Sequence, residues 1–164
     1  MFLTFGAVML RLAPEGSLRF DQVMPGRLEA SFGGGEANVA VSLALFGAKV
    51  KYMTALPDNA IADALTRQMS GLGVDMSSVV RKKGERLGVY YLETGANQRG
   101  SVVIYDRADS AVSKAGPDAY DMRLALDGVK WVHITGITPA ISEQAFLATL
   151  ALAVEAREEG STVS

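Results

Sequence analysis

Three consecutive glycines, Gly33, Gly34 and Gly35, precede a run rich in Ala and Leu that ends at Gly47. Glycine leaves the backbone free of side chains and permits positive φ angles at little cost. The apolar run predicts a buried helix, so the glycines lead into a helix N-terminus, whose free N–H groups and positive dipole end attract a polar or anionic ligand. The same pattern is equally typical of a tight turn before a close-packed helix, and both interpretations stay open on these residues alone.

The bulk composition narrows the classes of function. The chain has 164 residues, of which 49% are hydrophobic and 21% charged, with a net charge of -2; this balance is that of an ordinary globular domain. The charge gives no reason to expect a nucleic acid or an anionic membrane as a partner. Cysteine is absent and His133 is the single histidine, so disulfides and thiolate metal sites are excluded and a histidine zinc site is disfavoured.

The first residues are apolar but lack a basic leader, and Arg11 interrupts the run. They match neither a signal peptide nor a membrane span. The expected compartment is therefore the cytoplasm.

Strand-like and helix-like segments alternate through the first part of the chain. Residues 3–10 predict one buried strand, and residues 18–20 and 28–32 predict two short strands exposed on one face. Residues 48–56 predict a core strand, after which Asp58 and Asn59 are helix-capping types ahead of a periodic apolar pattern. Strand–helix–strand–helix order indicates an α/β fold with a parallel sheet.

The middle of the chain interrupts this alternation of strands and helices. Residues 87–92 and 101–105 are rich in Val, Ile and Tyr and flank a polar turn, which predicts a long-looped hairpin in a secondary sheet. The alternation is predicted to resume with a strand at 129–134, a helix capped by Ser142 and the start of another strand at 161–164. We therefore expect the chain to stop within a strand–helix–strand unit.

Three segments together resemble a known family. Residues 33–40 (GGGEANVA) are similar to the first signature of the PfkB, or ribokinase-like, carbohydrate kinases. Residues 105–111 (YDRADSA) and 133–140 (HITGITPA) resemble the 2-keto-3-deoxygluconate kinase branch, and Glu36 points the same way. The resemblance covers residues 1–164 in register, as the N-terminal part of a sugar kinase domain. It implies a three-layer α/β/α fold with a mainly parallel central sheet and a small β lid at about 9–32 and 86–107.

The resemblance implies that a small-molecule sugar acid binds between the central sheet and the lid. Gly34 would present its backbone to the sugar, which a Cβ atom would obstruct. Asn38 offers a donor and acceptors, so it would either bind a sugar hydroxyl or brace the glycine loop. Arg107 would bind the carboxylate of a ketoaldonate through two parallel hydrogen bonds.

Aromatic and apolar residues complete the predicted sugar site. Tyr90 and Tyr105 on the lid strands each supply a flat face with a hydroxyl tip, which suits a polyol or a packing role. Tyr91 points to the other side of its strand, and we assign it to packing. Ile137 would form an apolar wall. His133 lies on a strand among apolar residues and is predicted to be a core or packing residue rather than a base.

The chain departs from the family pattern in three ways, one of which is the sequence PDNAIA at residues 57–62 where many members have Gly-Asp-Asp-x-x-Gly. Family members usually begin with Gly-Glu or Gly-Asp, whereas this chain has Gly6 and Ala7, so we expect an acidic group near the sugar to be missing. The Asp-x-Asn-x-Arg strand, the nucleotide site and the Gly-Ala-Gly-Asp motif with its catalytic base are also absent from these residues.

The resemblance implies ATP and Mg²⁺ as cofactors of the full-length family enzyme. Within this chain it assigns no catalytic, cofactor-binding or metal-binding residue, and we expect the 164 residues alone to be inactive. It further implies a homodimer formed through the β lid.

Two other interpretations compete with the sugar kinase. A dinucleotide-binding unit fits poorly, because the glycines do not follow G-x-G-x-x-G and residues 52–54 lack the expected acidic residue. A non-catalytic sugar-binding or assembly module of the same fold stays open.

Overall fold

The computed structural model describes all residues from 1 to 164. They form nine strands and six α-helices. The strands are β1 (Phe2–Phe5), β2 (Met9–Ala13), β3 (Glu29–Gly33), β4 (Val50–Pro57), β5 (Val79–Lys82), β6 (Val89–Glu93), β7 (Val102–Asp106), β8 (Trp131–His133) and β9 (Thr162–Val163). The helices are α1 (Phe20–Val23), α2 (Gly35–Leu45), α3 (Ala60–Gly71), α4 (Ala111–Lys114), α5 (Met122–Leu126) and α6 (Glu143–Glu158), with a 3-10 turn at Pro117–Ala119. No helix is both long and apolar enough to cross a membrane.

Five strands form the core sheet in the order β5-β4-β1-β8-β9, with every neighbouring pair parallel. Successive side chains of a strand point to opposite faces, so Tyr52 and Met53 of β4 are buried on different sides. Helices α2 and α3 pack on the Tyr52 side, and α4, α5 and α6 pack on the Met53 side. This three-layer arrangement confirms the predicted fold class.

Polar side chains fix where the longer helices begin. The side chain of Asn59 accepts a hydrogen bond of 3.1 Å from the backbone N–H of Ala62 at the start of α3. Ser142 does the same for the N–H of Ala145 in α6, also at 3.1 Å. Each bond satisfies one of the N–H groups that a helix leaves free in its first turn. The predicted Ser142 cap is confirmed, and of the two candidates Asp58 and Asn59 it is Asn59 that caps α3.

Four strands form a second sheet, which we call the lid, in the order β3-β2-β6-β7. The predicted hairpin is confirmed as the antiparallel pair β6 and β7, and β3 pairs antiparallel with β2. The central pair, β2 and β6, is parallel. Residues 6–8 alone separate β1 of the core sheet from β2 of the lid.

Two strand predictions are wrong. Residues 3–10 form no single strand, because the chain leaves the core sheet at Gly6, whose carbonyl oxygen accepts a hydrogen bond of 2.8 Å from the Tyr52 hydroxyl. Residues 18–20 are not a strand either: the N–H of Arg19 donates to the side chain of Gln22 at 2.8 Å and starts the short helix α1. Strand β5 was not predicted.

Candidate ligand-binding cleft

A cleft of about 240 Å³ lies between the lid and the segments that follow β1 and β8 of the core sheet. The carboxyl ends of parallel strands are where open α/β sheets bind ligands. All six residues that the sequence assigned to binding line this cleft: Gly34, Asn38, Tyr90, Tyr105, Arg107 and Ile137. The fold therefore brings the six together, and their roles toward a ligand stay predictions.

The glycine segment is needed for close packing of the protein itself. A Cβ atom on Gly34 would lie 2.2 Å from the carbonyl oxygen of Ala7, and one on Gly33 would lie 2.6 Å from the Tyr90 hydroxyl. None of the three glycines has a positive φ angle. Gly34 is thus required by the approach of two backbone segments, and its role toward a sugar stays a prediction.

Tyr90 and Tyr105 lie opposite each other in the β6–β7 pair. Their ring centres are 6.1 Å apart and the ring planes meet at 38°. Burial raises the pKa of the Tyr90 hydroxyl above its usual value, so this group stays protonated at neutral pH and is able to donate a hydrogen bond to a ligand. On the other side of the strand Tyr91 packs edge-on against Phe20, which confirms its predicted packing role.

Arg107 carries the one positive charge among the cleft-lining residues. The carbon at the centre of its guanidinium group lies 4.7 Å from the centre of the Tyr105 ring, within cation–π distance. No carboxylate forms an ion pair with it; by contrast, Arg86 binds both carboxylate oxygens of Asp106. The guanidinium donors of Arg107 are therefore available to an anionic ligand.

Asn38 and Ile137 lie on the core side of the cleft. The side chain of Asn38 is exposed and forms no hydrogen bond with the protein, so the structure gives no support to the bracing role considered above. The N–H of Ile137 donates to the Thr135 hydroxyl at 3.2 Å. This bond holds the partly exposed Ile137 at the cleft wall.

Glu36 is a cleft-lining residue to which sequence reasoning gave no role in the site. It lies in the first turn of α2 and is only 1% exposed. Its Oε1 atom accepts hydrogen bonds from the hydroxyls of Thr135 at 2.6 Å and Thr138 at 2.8 Å. The signal in the sequence was a lone carboxylate among small residues at the start of an apolar helix, but its partners are 99 and 102 positions away.

The carboxyl group of Glu36 also lies against the link between the two sheets. A Cβ atom on Gly6 would come within 2.2 Å of Glu36 Cδ. The expectation that this region lacks an acidic group is therefore wrong: Ala7 carries no charge, but Glu36 brings a carboxylate to the same place from α2.

His133 does not line the cleft. Its Nδ1 atom lies 3.2 Å from the Ser164 hydroxyl, which also accepts a hydrogen bond of 2.9 Å from the indole N–H of Trp131. The partly exposed imidazole therefore contacts the residue that follows β9, which fits a packing role rather than a place in the core.

A comparison with protein families decides the identity of this fold. Residues 3–163 match the model of one protein family, which is described as "pfkB family carbohydrate kinase". The chain belongs to the pfkB family. Within this family it is 36% identical over 163 residues to a 2-dehydro-3-deoxygalactonokinase of Haloferax volcanii and 28% identical over 131 residues to a 2-dehydro-3-deoxygluconokinase of Bacillus subtilis.

A solved structure shows the same arrangement of elements. The crystal structure of 2-dehydro-3-deoxygluconokinase from Thermotoga maritima superposes with a TM-score of 0.94 at 40% identity, over 99% of this chain and 49% of that one. The matches to the Haloferax and Bacillus proteins take in 99% and 80% of this chain, and 50% and 40% of those proteins. The chain thus spans about half the length of the relatives it matches.

Residues 1–164 contain no group of three or more His, Asp or Glu side chains placed to hold a metal. The helix N-terminus at the cleft, that of α2, already carries the carboxylate of Glu36 in its first turn. That negative charge disfavours a phosphate group there.

Proposed function

We propose that the cleft binds the sugar acid of a 2-keto-3-deoxy sugar acid kinase, and that the whole protein phosphorylates this sugar with ATP. The observation that carries the proposal is the unpaired guanidinium of Arg107 beside two tyrosines in a cleft of sugar size. The names of the relatives supply the substrate class, because two of them are kinases of 2-dehydro-3-deoxy sugar acids.

The chemistry of the lining suits such a ligand. A ketoaldonate has a carboxylate at one end, which Arg107 can bind through two parallel hydrogen bonds. The remaining carbons carry hydroxyl groups, for which Tyr90 and Asn38 offer donors and acceptors. Ile137 supplies an apolar wall against the carbon chain.

These residues contribute to phosphoryl transfer by holding the acceptor sugar. Positioning is a major part of catalysis in this reaction, which asks little covalent chemistry of the protein. ATP supplies the phosphoryl group, and we assign the base and the nucleotide site to motifs that residues 1–164 do not contain. A coupled assay for sugar-dependent ADP formation should therefore show no turnover by these residues alone; measurable turnover would contradict this assignment.

Calorimetric titration tests the sugar site directly. The chain should bind 2-keto-3-deoxygluconate or its galactonate epimer more tightly than a neutral hexose such as fructose. Arg107→Ala should weaken binding of the acid by about 10- to 100-fold, the range expected for charge-assisted hydrogen bonds, and leave fructose unaffected. Arg67→Ala is the matched control, because it removes the same charge from the exposed surface of α3, away from the cleft.

The outcomes separate the parts of the proposal. Equal binding of the acid by wild type and Arg107→Ala would remove Arg107 from the site. Equal binding of acid and hexose by the wild type would refute a sugar acid as the substrate class. Comparing the two epimers identifies which sugar acid the cleft prefers.

We also propose that two copies of the chain associate through their lids. All five residues of the edge strand β7 are exposed, and four of them are apolar or aromatic. An apolar edge strand with free N–H and C=O groups pairs readily with another strand. A second copy of the lid offers such a strand.

A further inference from the structure

We infer that Glu36 is a positioning residue, whose buried carboxylate joins the three segments that form the core side of the cleft. These segments are the link after β1, the start of α2 and the loop after β8, and each contributes lining residues. The inference rests on the proposed function, because it concerns how the same sugar acid is held.

The first connection runs from α2 to the loop after β8. The Thr135 hydroxyl donates to Glu36 Oε1 at 2.6 Å and accepts the N–H of Ile137 at 3.2 Å. A hydroxyl can donate one bond and accept another, so the carboxylate determines the orientation of Thr135 and, through it, the backbone of Ile137. One buried acceptor thereby fixes the position of a cleft wall residue.

The second connection runs from α2 to the link between core and lid. The Thr138 hydroxyl donates to the same Oε1 atom at 2.8 Å and accepts the N–H of Ala7 at 3.1 Å. Thr138 is completely buried. Glu36 thus orients, through a second hydroxyl, the backbone of another cleft-lining residue.

The surroundings leave the carboxyl group little freedom. The Glu36 carboxyl group fits beside Gly6 only because glycine has no Cβ atom. The carbonyl oxygen of Gly6 in turn accepts a hydrogen bond from the hydroxyl of the buried Tyr52. An acceptor that is lost from such a place cannot be replaced easily by water. Thr135 and Thr138 would then lose the partner that sets their orientation, and buried donors left without a partner are costly.

The arrangement predicts which substitutions preserve the function of Glu36. Both hydrogen bonds end on Oε1, so Glu36→Gln keeps an acceptor oxygen of the same reach. Glu36→Ala removes it. Ser161→Ala is the matched control, because it deletes another buried hydroxyl bond, from Ser161 to the carbonyl of Val129, before the first residues of β8 and β9 and thus at the opposite end of the sheet.

The test combines amide NMR spectra of the chain with calorimetry, both well below the unfolding temperature. Glu36→Ala should shift the amide resonances of Ile137 and Ala7 and raise the Kd for 2-keto-3-deoxygluconate about tenfold or more. Glu36→Gln should stay within about threefold of wild type. Ser161→Ala should lower thermal stability and leave both readouts unchanged.

Each result supports or overturns a separate statement. If the wild type fails to bind the sugar acid, the proposed function is overturned. The amide resonances of Ile137 and Ala7 in Glu36→Ala still test the connection through Glu36. If the wild type binds and Glu36→Ala binds equally well, or leaves both resonances in place, the positioning role is overturned. Thr135→Val provides the same readouts for the Ile137 branch if Glu36→Ala does not fold.

Discussion

The guanidinium group of Arg107 lies over the ring of Tyr105, two positions earlier in the chain, at 4.7 Å from the ring centre. The negative face of an aromatic ring attracts a cation without neutralising it. Tyr105 therefore holds the Arg107 side chain toward the cleft and leaves all its N–H donors free. A carboxylate partner would have fixed the side chain equally well but would have competed with the ligand.

We predict that the Tyr105 ring, rather than its hydroxyl, prepares Arg107 for binding. Tyr105→Leu should raise the Kd for the sugar acid by about 3- to 10-fold, because a cation–π contact contributes on the order of 1 kcal/mol. Tyr105→Phe keeps the ring and should stay close to wild type. Calorimetry measures both, and an equal loss in the two variants would assign the effect to the hydroxyl.

We predict that Gly34→Ala destabilises the fold. The new methyl group would meet the carbonyl oxygen of Ala7 at 2.2 Å, and a backbone atom cannot move aside easily. The expected loss is about 1–3 kcal/mol in the free energy of unfolding, measured by urea denaturation. Gly35→Ala is the control, since its Cβ would meet only the Thr135 methyl group at 3.8 Å. Equal stability of the two variants would contradict the prediction.

We predict that Asn59→Ala lowers the free energy of unfolding by about 1 kcal/mol, because α3 loses its N-terminal cap. Asn59→Asp keeps an acceptor oxygen at the same place and should restore most of this energy. Urea denaturation of both variants provides the measurement. A loss of the same size in Asn59→Asp would show that the cap does not stabilise α3.

We predict a pH-dependent contribution from the ion pair of Arg86 and Asp106. The hydrogen bonds from Arg86 lower the pKa of the Asp106 carboxyl in the folded state. The pair therefore stabilises the fold fully above the unfolded-state pKa of about 4 and loses this effect as the pH falls through the lower folded-state pKa. Both side chains are partly exposed, so salt should also weaken the pair.

Urea denaturation at several pH values checks this sign. The difference in the free energy of unfolding between wild type and Asp106→Asn should be largest at neutral pH and shrink in acid. Glu158→Gln, at an exposed carboxylate of α6 without an ion pair, should show no such trend. A difference that grows in acid would contradict the assignment.

We predict that Ile104→Lys prevents association through the lid. Ile104 lies opposite Tyr91 in the β6–β7 pair, on the face away from the cleft, and is 54% exposed. A charge on an edge strand disfavours pairing with another copy. Light scattering should give a dimer for the wild type and a monomer for the variant, with sugar binding unchanged in the variant. A monomeric wild type would refute the lid dimer.

The order of the core elements could be predicted because their sequence patterns are local. Asn59 and Ser142 predict helix starts because their side chains cap helices, and the Val- and Tyr-rich runs around Tyr90 and Tyr105 predict the hairpin. The break at Gly6 was hidden, because the residues on both sides of it are apolar and buried, one set in each sheet. An apolar run shows that residues are covered, but it does not show by which sheet.

The cleft was predictable in its members more than in its construction. The six assigned residues come together as the resemblance implied. The contact of Gly34 with Ala7 and the bonds of Glu36 to Thr135 and Thr138 join residues far apart in sequence. No local pattern encodes such pairs, so only the folded structure reveals them.

The hydrogen bonds to Glu36 also bear on the order of events during folding. Because they span 99 and 102 residues, each closes a long loop, and contacts of this kind form after local structure. On the ribosome the glycine segment is made long before Thr138. The proposed binding of a sugar acid therefore requires these long loops to close, and a nascent chain that ends before Thr138 has no complete cleft.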